Sequence, residues 1–100
     1  MARRAAKVDT NQPEIVDAFR RLGCLVAHTH MVGQGFPDIV VSCMGVPRLI
    51  EIKDGKLSPS ARKLTPPEAV FHRDWDGMVW VVESTGDVVR LVRQWRGVAA

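Results

Sequence analysis

Two carboxylates and an ammonium lie at or within two largely apolar segments, IVVSCM and PRLIEIK, near the centre of the chain. Asp38 comes directly before the first segment, and Glu51 and Lys53 lie inside or at the end of the second. Residues two apart share one face of a β-strand, so Glu51 and Lys53 are expected on the same face. Two carboxylates and an ammonium in so apolar a setting indicate a chemical role.

The two segments are predicted to form a β-hairpin with a two-residue turn at positions 44–45. This turn would place Cys43 opposite Val46, and counting outward places Asp38 opposite Glu51. Directly opposed residues share a face, with Cβ atoms about 5 Å apart. The hairpin therefore predicts that the two carboxylates face each other.

Two carboxylates at about 5 Å repel by roughly 3 kcal/mol at an effective dielectric constant of 20. A shared proton or a bound cation relieves this repulsion, and hard oxygen ligands favour Mg²⁺ or Mn²⁺. Lys53 would hold a water or a phosphate oxygen beside the ion, which are the parts needed to hydrolyse a phosphodiester. The alternative is an exposed sheet face with a Glu–Lys pair and an Asp in a turn.

The surrounding elements are predicted in the order α-β-β-β-α-β-α, which indicates an α/β fold. Apolar residues recur at helical spacing between Pro13 and Leu22, and again between Val88 and Trp95. Thr65, Pro66 and Glu68 form the capping box of the middle helix. The remaining segments are predicted as strands: CLVAHT, DIVVSCM, PRLIEIK and MVWVVES.

Length and charge are those of one small basic domain. The chain has 100 residues, a net charge of +3 and a pI of about 9.3, which is compatible with a polyanionic partner. Residues 1–9 are predicted to be a flexible basic arm and residues 10–96 a single domain. No segment resembles a membrane span or a secretion signal, so a soluble cytoplasmic protein is expected. Cys24 and Cys43 are expected to be buried free thiols.

The motif GxGxPD, followed by an apolar strand and IEIK, resembles the PD-(D/E)xK nuclease superfamily. The wider pattern NQPEIV…GCLV…GQGFPDIVV…LIEIKDGK…SARKLTPPE…FH…W is similar to the small stand-alone virus-type replication-repair nuclease (VRR-NUC) domains, including those of phages. The resemblance covers about Asp9 to Trp95. It implies a restriction-endonuclease-like core, in which a mixed sheet is flanked by helices.

The resemblance also implies roles for single residues. Asp38, Glu51 and the backbone carbonyl of Ile52 would bind the metal, and Lys53 would orient the attacking water. Glu14 matches a glutamate of the first helix that approaches the metal, in some cases through water; the other interpretation is a first-turn Glu favoured by the helix dipole. Many relatives carry a Gln in the helix after the active-site strand, where this chain has Glu68 and Ala69.

The function implied is a metal-dependent DNA endonuclease that acts, as a homodimer, on branched DNA such as four-way junctions, like a resolvase. DNA phosphates would be contacted by five basic residues, namely Arg3, Arg4, Lys56, Arg62 and Lys63. Two alternatives remain at this stage: a non-catalytic DNA-binding module with the same fold, and a nuclease subunit that needs a partner protein.

Two further groups of side chains have open interpretations. His28 and His30 share a strand face with a spacing compatible with zinc, but no third ligand is evident, so a solvated or phosphate-contacting face is favoured. His72 either faces DNA or makes a structural hydrogen bond. The three tryptophans are predicted to lie in the core or in a dimer interface; they are Trp75, Trp80 and Trp95.

Overall fold

The computed structural model describes residues 8–97 and has an α/β architecture in which a four-stranded mixed sheet is accompanied by three helices. The bounds are α1 Gln12–Arg21, β1 Leu25–His28, β2 Ile39–Cys43, β3 Val46–Ile52, α2 Pro66–Asp74, β4 Val79–Val82 and α3 Thr85–Trp95. A short 3-10 helix at Pro59–Arg62 lies between β3 and α2. The α/β class predicted from the sequence is confirmed. The arm residues 1–7 lie outside the described residues.

The sheet has the order β1-β2-β3-β4, with antiparallel pairing among the first three strands and parallel pairing between β3 and β4. Cys43 pairs with Val46, so the predicted hairpin register is confirmed. The turn residues Met44 and Gly45 both have positive φ, 55° and 79°. Two successive positive φ values are the signature of the tight turn whose twist matches that of the flanking strands.

One face of the sheet forms the core, against which α1 and α3 pack. Alternate strand residues such as Ile39, Ile50 and Ile52 are buried there. Phe19 of α1 is fully buried and stacks on Trp95 of α3, with ring centroids 6.2 Å apart. The alternation along the strands sends Asp38, Glu51 and Lys53 to the opposite face.

The opposite face is approached by the first turn of α2, which is joined to the sheet through a loop. Phe71 of α2 packs edge-to-face on Phe36, with ring centroids 5.2 Å apart. Gly35 lies so close to α2 that a Cβ atom there would be 2.2 Å from the carbonyl oxygen of Pro67. Thr65 and Glu68 form the predicted capping box, so the N-terminus of α2 is held in place at the end of the sheet.

Cys24 and Cys43 are buried as predicted, with 3% and 2% exposure, but the prediction of free thiols is wrong: they form a disulfide. Leu25 pairs with Ser42 across β1 and β2. The next positions outward are therefore the two cysteines, whose Cα atoms are 4.6 Å apart. The pairing of β1 with β2, which the hairpin turn at positions 44–45 does not determine, brings the sulfurs together.

The three tryptophans have different environments. Trp80 and Trp95 are partly buried and pack against the core, with ring centroids 5.6 Å apart. Trp75, at the end of α2, is 43% exposed and stacks on Phe71. Within residues 8–97, no helix has the length and apolar character needed to cross a membrane.

Candidate active site

Asp38 and Glu51 occupy opposed positions one step beyond the last pair of the hairpin ladder, Ile39 and Ile50. The carbonyl oxygen of Asp38 accepts a hydrogen bond from Thr29 N, on the β1 side. The backbone of Asp38 therefore points away from β3, which makes this a non-hydrogen-bonded pair, the kind in which side chains approach most closely. Asp38 Oδ2 accepts a hydrogen bond from Ile52 N at 2.7 Å.

Glu51 is a buried acid with an unmet hydrogen bond. Its exposure is 1%, and its Oε1 atom has no hydrogen-bond partner among the described residues. Burial, followed by the neighbouring charge of Asp38, raises the pKa of Glu51 to about 10. Burial also raises the pKa of Asp38, although the hydrogen bond from Ile52 opposes the shift. Without a cation, Glu51 therefore keeps its proton at neutral pH.

Lys53 is 9% exposed and lies beside the two carboxyl groups. Its Nζ atom is 2.6 Å from Glu68 Oε1 and 3.7 Å from Glu51 Oε2. Burial by itself would lower the pKa of Lys53, but the hydrogen bond to Glu68 and the nearby negative charges outweigh it and raise the pKa. The ammonium is therefore charged, and its position is set chiefly by Glu68.

Glu68 is a member of the site that sequence reasoning did not assign. Its Oε1 atom also accepts a hydrogen bond from Thr65 N at 2.8 Å, so one oxygen both caps α2 and binds Lys53. Burial opposes ionisation, yet the hydrogen bonds from Lys53 and Thr65 lower the pKa of Glu68. In the sequence, the capping box is a sufficient local reason for Glu68. The other signal at this position is the Gln that many relatives in the resembling family carry in the same helix.

Asp9 and His72 are also near these charges. Burial, followed by the charge of Asp38, raises the pKa of Asp9, which Lys53 opposes. His72 lies one turn after Glu68, and its Nε2 atom is buried without a partner among the described residues. Burial lowers the pKa of His72, although the charge of Glu68 opposes the shift. His72 thus faces the protein.

Glu14 lies on the exposed side of α1. It lines a cleft together with Asp54, Lys56 and Glu83. Within residues 8–97, neither a hydrogen bond nor an ion pair joins Glu14 to Asp38 or Glu51, and its role at the metal stays a prediction.

The predicted DNA-contacting residues differ in their surroundings. Lys56 and Lys63 are exposed. Arg62 instead donates hydrogen bonds to Glu83 Oε1 and to the Leu57 carbonyl, both at 2.9 Å. Arg3 and Arg4 lie outside the described residues.

The donor atoms at the end of the hairpin are hard oxygens, which fit Mg²⁺ or Mn²⁺. Asp38 and Glu51 supply carboxyl oxygens, and Glu51 Oε1 is buried without a partner among the described residues. The carbonyl of Ile52 lies on the Asp38 side of β3, because the N–H and C=O of a strand residue point to the same side. No cluster of three or more His, Cys, Asp or Glu side chains with metal-binding geometry occurs in the described part of the chain.

His28 and His30 lie elsewhere. His28, the last residue of β1, pairs with Ile39, whose side chain points into the core face, so the His28 imidazole is on the face opposite the carboxyl pair. His30 lies in the turn after β1 and not on a strand, with its ring 6.1 Å from that of His28. Comparison of the chain with protein-family models, curated proteins and solved structures finds no match.

Proposed function

We propose that this chain is a metal-dependent DNA endonuclease that hydrolyses phosphodiester bonds, with a PD-(D/E)xK core of the VRR-NUC type. The supporting observation is that the half-buried Asp38 faces the fully buried Glu51 beside a charged Lys53. A buried carboxyl group with a strongly raised pKa and a specific charged neighbour is characteristic of functional sites.

Each residue has a defined task in this proposal. Asp38, Glu51 and the Ile52 carbonyl would hold Mg²⁺ or Mn²⁺. When bound, the ion lowers the pKa of water and neutralises charge on the phosphate. Glu51 must lose its proton for this to occur, because only the ionised carboxylate is a good ligand.

Lys53 acts on the other side of the reacting group. An ammonium has three N–H donors, and one is directed to Glu68 at 2.6 Å. The remaining donors can hold a water or a phosphate oxygen. Glu68 keeps this ammonium charged and in position.

We further propose branched DNA as the substrate and a homodimer as the acting form, both on the basis of the family resemblance. Lys56 and Lys63 are exposed and available for phosphate contacts. Phosphate contacts predict binding that weakens steeply with salt and depends little on base sequence.

The test is cleavage of labelled four-way and linear DNA with Mg²⁺, with Mn²⁺ and with EDTA. Asp38→Ala and Glu51→Ala should abolish cleavage with the fold retained, whereas Lys53→Ala should slow cleavage and keep metal binding. Asp76→Ala is a matched control, because Asp76 is an exposed loop carboxylate. If Asp38→Ala, free of contaminating nuclease, cuts DNA at the wild-type rate, the site assignment is wrong.

One observation supports a second candidate, a DNA-binding module or a nuclease subunit that needs a partner. The carboxyl pair has no third acidic or histidine side chain in metal-binding geometry among residues 8–97. Wild-type protein that binds junctions but leaves them uncut with either metal would favour this candidate over the endonuclease.

A further inference from the structure

A cleft of about 460 Å³ lies between α1 and the end of β1, on the sheet face opposite the carboxyl pair. Its volume is within the range of small-molecule sites, about 300 to 1,000 Å³. The residues that matter for its chemistry are Val8, Gln12, Val16, Arg20, His28 and His30. The proposed phosphodiester chemistry uses none of them.

Two residues of this cleft have unmet hydrogen bonds. Gln12 is only 3% exposed, and its Oε1 atom has no partner among the described residues. The Nδ1 atom of His30 is likewise buried and unpartnered. A buried polar group without a partner is uncommon and costly. Both residues line the cleft, so a rotation of either side chain would present its unpaired atom to a ligand that supplies hydrogen-bonding groups.

The other walls combine flat or apolar surface with one positive charge. The rings of His28 and His30 are nearly perpendicular, with centroids 6.1 Å apart. Val8, which is 40% exposed, supplies apolar surface. Arg20 is exposed and has no ion-pair partner within residues 8–97, whereas Asp17, at the same cleft, is ion-paired with Arg21 at 2.8 Å.

We propose that this cleft binds one unpaired nucleotide of DNA. The base lies against His28 and the apolar wall, the Gln12 amide bonds the edge of the base, and Arg20 contacts the phosphate. Imidazole rings and arginine are common stacking partners for unpaired bases, and amide side chains read base edges.

The cleft lies at the same end of the sheet as the candidate active site but on the other face, and the proposal rests on the proposed function in taking both sites to act on one DNA molecule. Val8 lines the cleft. The next residue, Asp9, is close enough to Asp38 for the charge of Asp38 to raise its pKa. Thr29, between the two histidines, donates its N–H to the carbonyl of Asp38. A strand that passes the end of the sheet could therefore place a nucleotide in the cleft and a neighbouring phosphate at Lys53.

The test measures binding of the full chain to two labelled single strands of equal length, by fluorescence anisotropy in EDTA. One strand carries bases, and the other carries abasic deoxyribose phosphates. Wild type should bind the base-containing strand about tenfold more tightly, as expected for stacking of one base. His28→Ala should remove this preference and leave the abasic strand unaffected. Arg20→Ala should weaken both strands.

Arg21→Ala is the matched control, because it removes the same charge one position along α1. Arg21→Ala also frees the Asp17 carboxylate, whose negative charge would repel DNA phosphate and weaken binding. A larger loss of affinity in Arg20→Ala than in Arg21→Ala therefore supports the cleft. Equal binding of both strands by wild type, a base preference that persists in His28→Ala, or equal losses in the two arginine variants would each overturn the proposal.

The same measurement separates the two proposals, because EDTA prevents metal-dependent cleavage. Loss of base preference in His28→Ala, together with no cleavage by wild type in Mn²⁺, supports the cleft and contradicts the endonuclease. Cleavage by wild type with no base preference supports the endonuclease and contradicts the cleft.

Discussion

Glu68 Oε1 lies 2.6 Å from Lys53 Nζ and 2.8 Å from Thr65 N, so a single carboxylate oxygen joins the N-terminus of α2 to the charged group of the candidate site. Lys53 is farther, 3.7 Å, from Glu51, its neighbour on the same strand face. The helix cap and the site therefore share the Glu68 carboxylate, and loss of Glu68 perturbs both.

Glu68→Ala should both destabilise the protein and lower the pKa of Lys53, because it removes the hydrogen bond that keeps the ammonium charged. Loss of the capping contacts should cost about 1 kcal/mol of unfolding free energy. Urea denaturation and the pH dependence of cleavage measure the two effects. Thr65→Ala is the control, since it removes the side-chain cap and keeps Glu68. A Lys53 titration that is unchanged in Glu68→Ala would contradict the assigned role.

Glu51→Gln should stabilise the metal-free protein, increasingly so as the pH rises. Folding raises the pKa of Glu51 from 4.5 to about 10. The contribution of the protonated Glu51 side chain to stability is therefore present below about pH 4.5 and is lost as the pH rises towards 10. Between pH 5 and pH 8 the gain of Glu51→Gln over wild type should grow by at least about 1 kcal/mol.

Urea titrations of both proteins at the two pH values provide the measurement. Glu14→Gln is a matched control, because Glu14 is exposed and the same chemical change there removes no buried carboxyl group. Parallel stability profiles for wild type and Glu51→Gln would show that Glu51 does not keep its proton in the folded protein.

Mn²⁺ should raise the melting temperature of wild type through binding to the folded state. At ten times the dissociation constant the gain is about 1.4 kcal/mol, or about 6 °C or more for a domain of this size. The shift should increase with pH, because the ion displaces the proton of Glu51, and it should vanish in Glu51→Ala. The same shift in both proteins would indicate a general salt effect. A reduced shift in Glu14→Gln would support the predicted part of Glu14.

Reduction of the Cys24–Cys43 disulfide should lower the unfolding free energy by about 3 kcal/mol, the value typical of a short closed loop. Nineteen positions separate the two residues in sequence. Urea denaturation with and without reductant measures the change, and the doubly substituted Cys24→Ser, Cys43→Ser protein should be insensitive to reductant. Labelling of two thiols in the unreduced, unfolded wild-type protein would contradict the bond.

Lys63 and Arg62 should respond differently to charge reversal. Lys63→Glu should weaken binding to junction DNA and leave stability unchanged, because Lys63 is exposed. Arg62→Glu should also lower stability, since it replaces the ion pair with Glu83 by repulsion. Salt-dependent binding and thermal melts distinguish the two effects. Full junction affinity in Lys63→Glu would exclude Lys63 from the phosphate contacts.

The hairpin could be predicted because its information is local. A two-residue turn determines the register, and the register determines that Asp38 faces Glu51. The capping box at Thr65 likewise placed the start of α2 correctly. These features depend on residues close in sequence, where periodicity and turn chemistry are reliable guides.

The contacts of Glu68 and the disulfide could not be predicted in this way. Glu68 and Lys53 are fifteen positions apart, and they meet because the loop between them brings α2 onto the sheet. Cys24 and Cys43 meet because β1 pairs with β2, across a loop whose length does not determine the register. Both depend on the packing of distant segments.

Gly35 allows the loop between β1 and β2 to lie directly against α2. Its α-carbon lies so near the carbonyl of Pro67 that even a methyl group would force the loop and α2 apart. Gly35→Ala should therefore act as a wedge, which loosens α2 while the disulfide-linked strands remain paired. Amide exchange would then become faster in α2 than in the sheet. Because Glu68 of α2 holds the Lys53 ammonium, the missing Cβ of Gly35 also sets the position of Lys53.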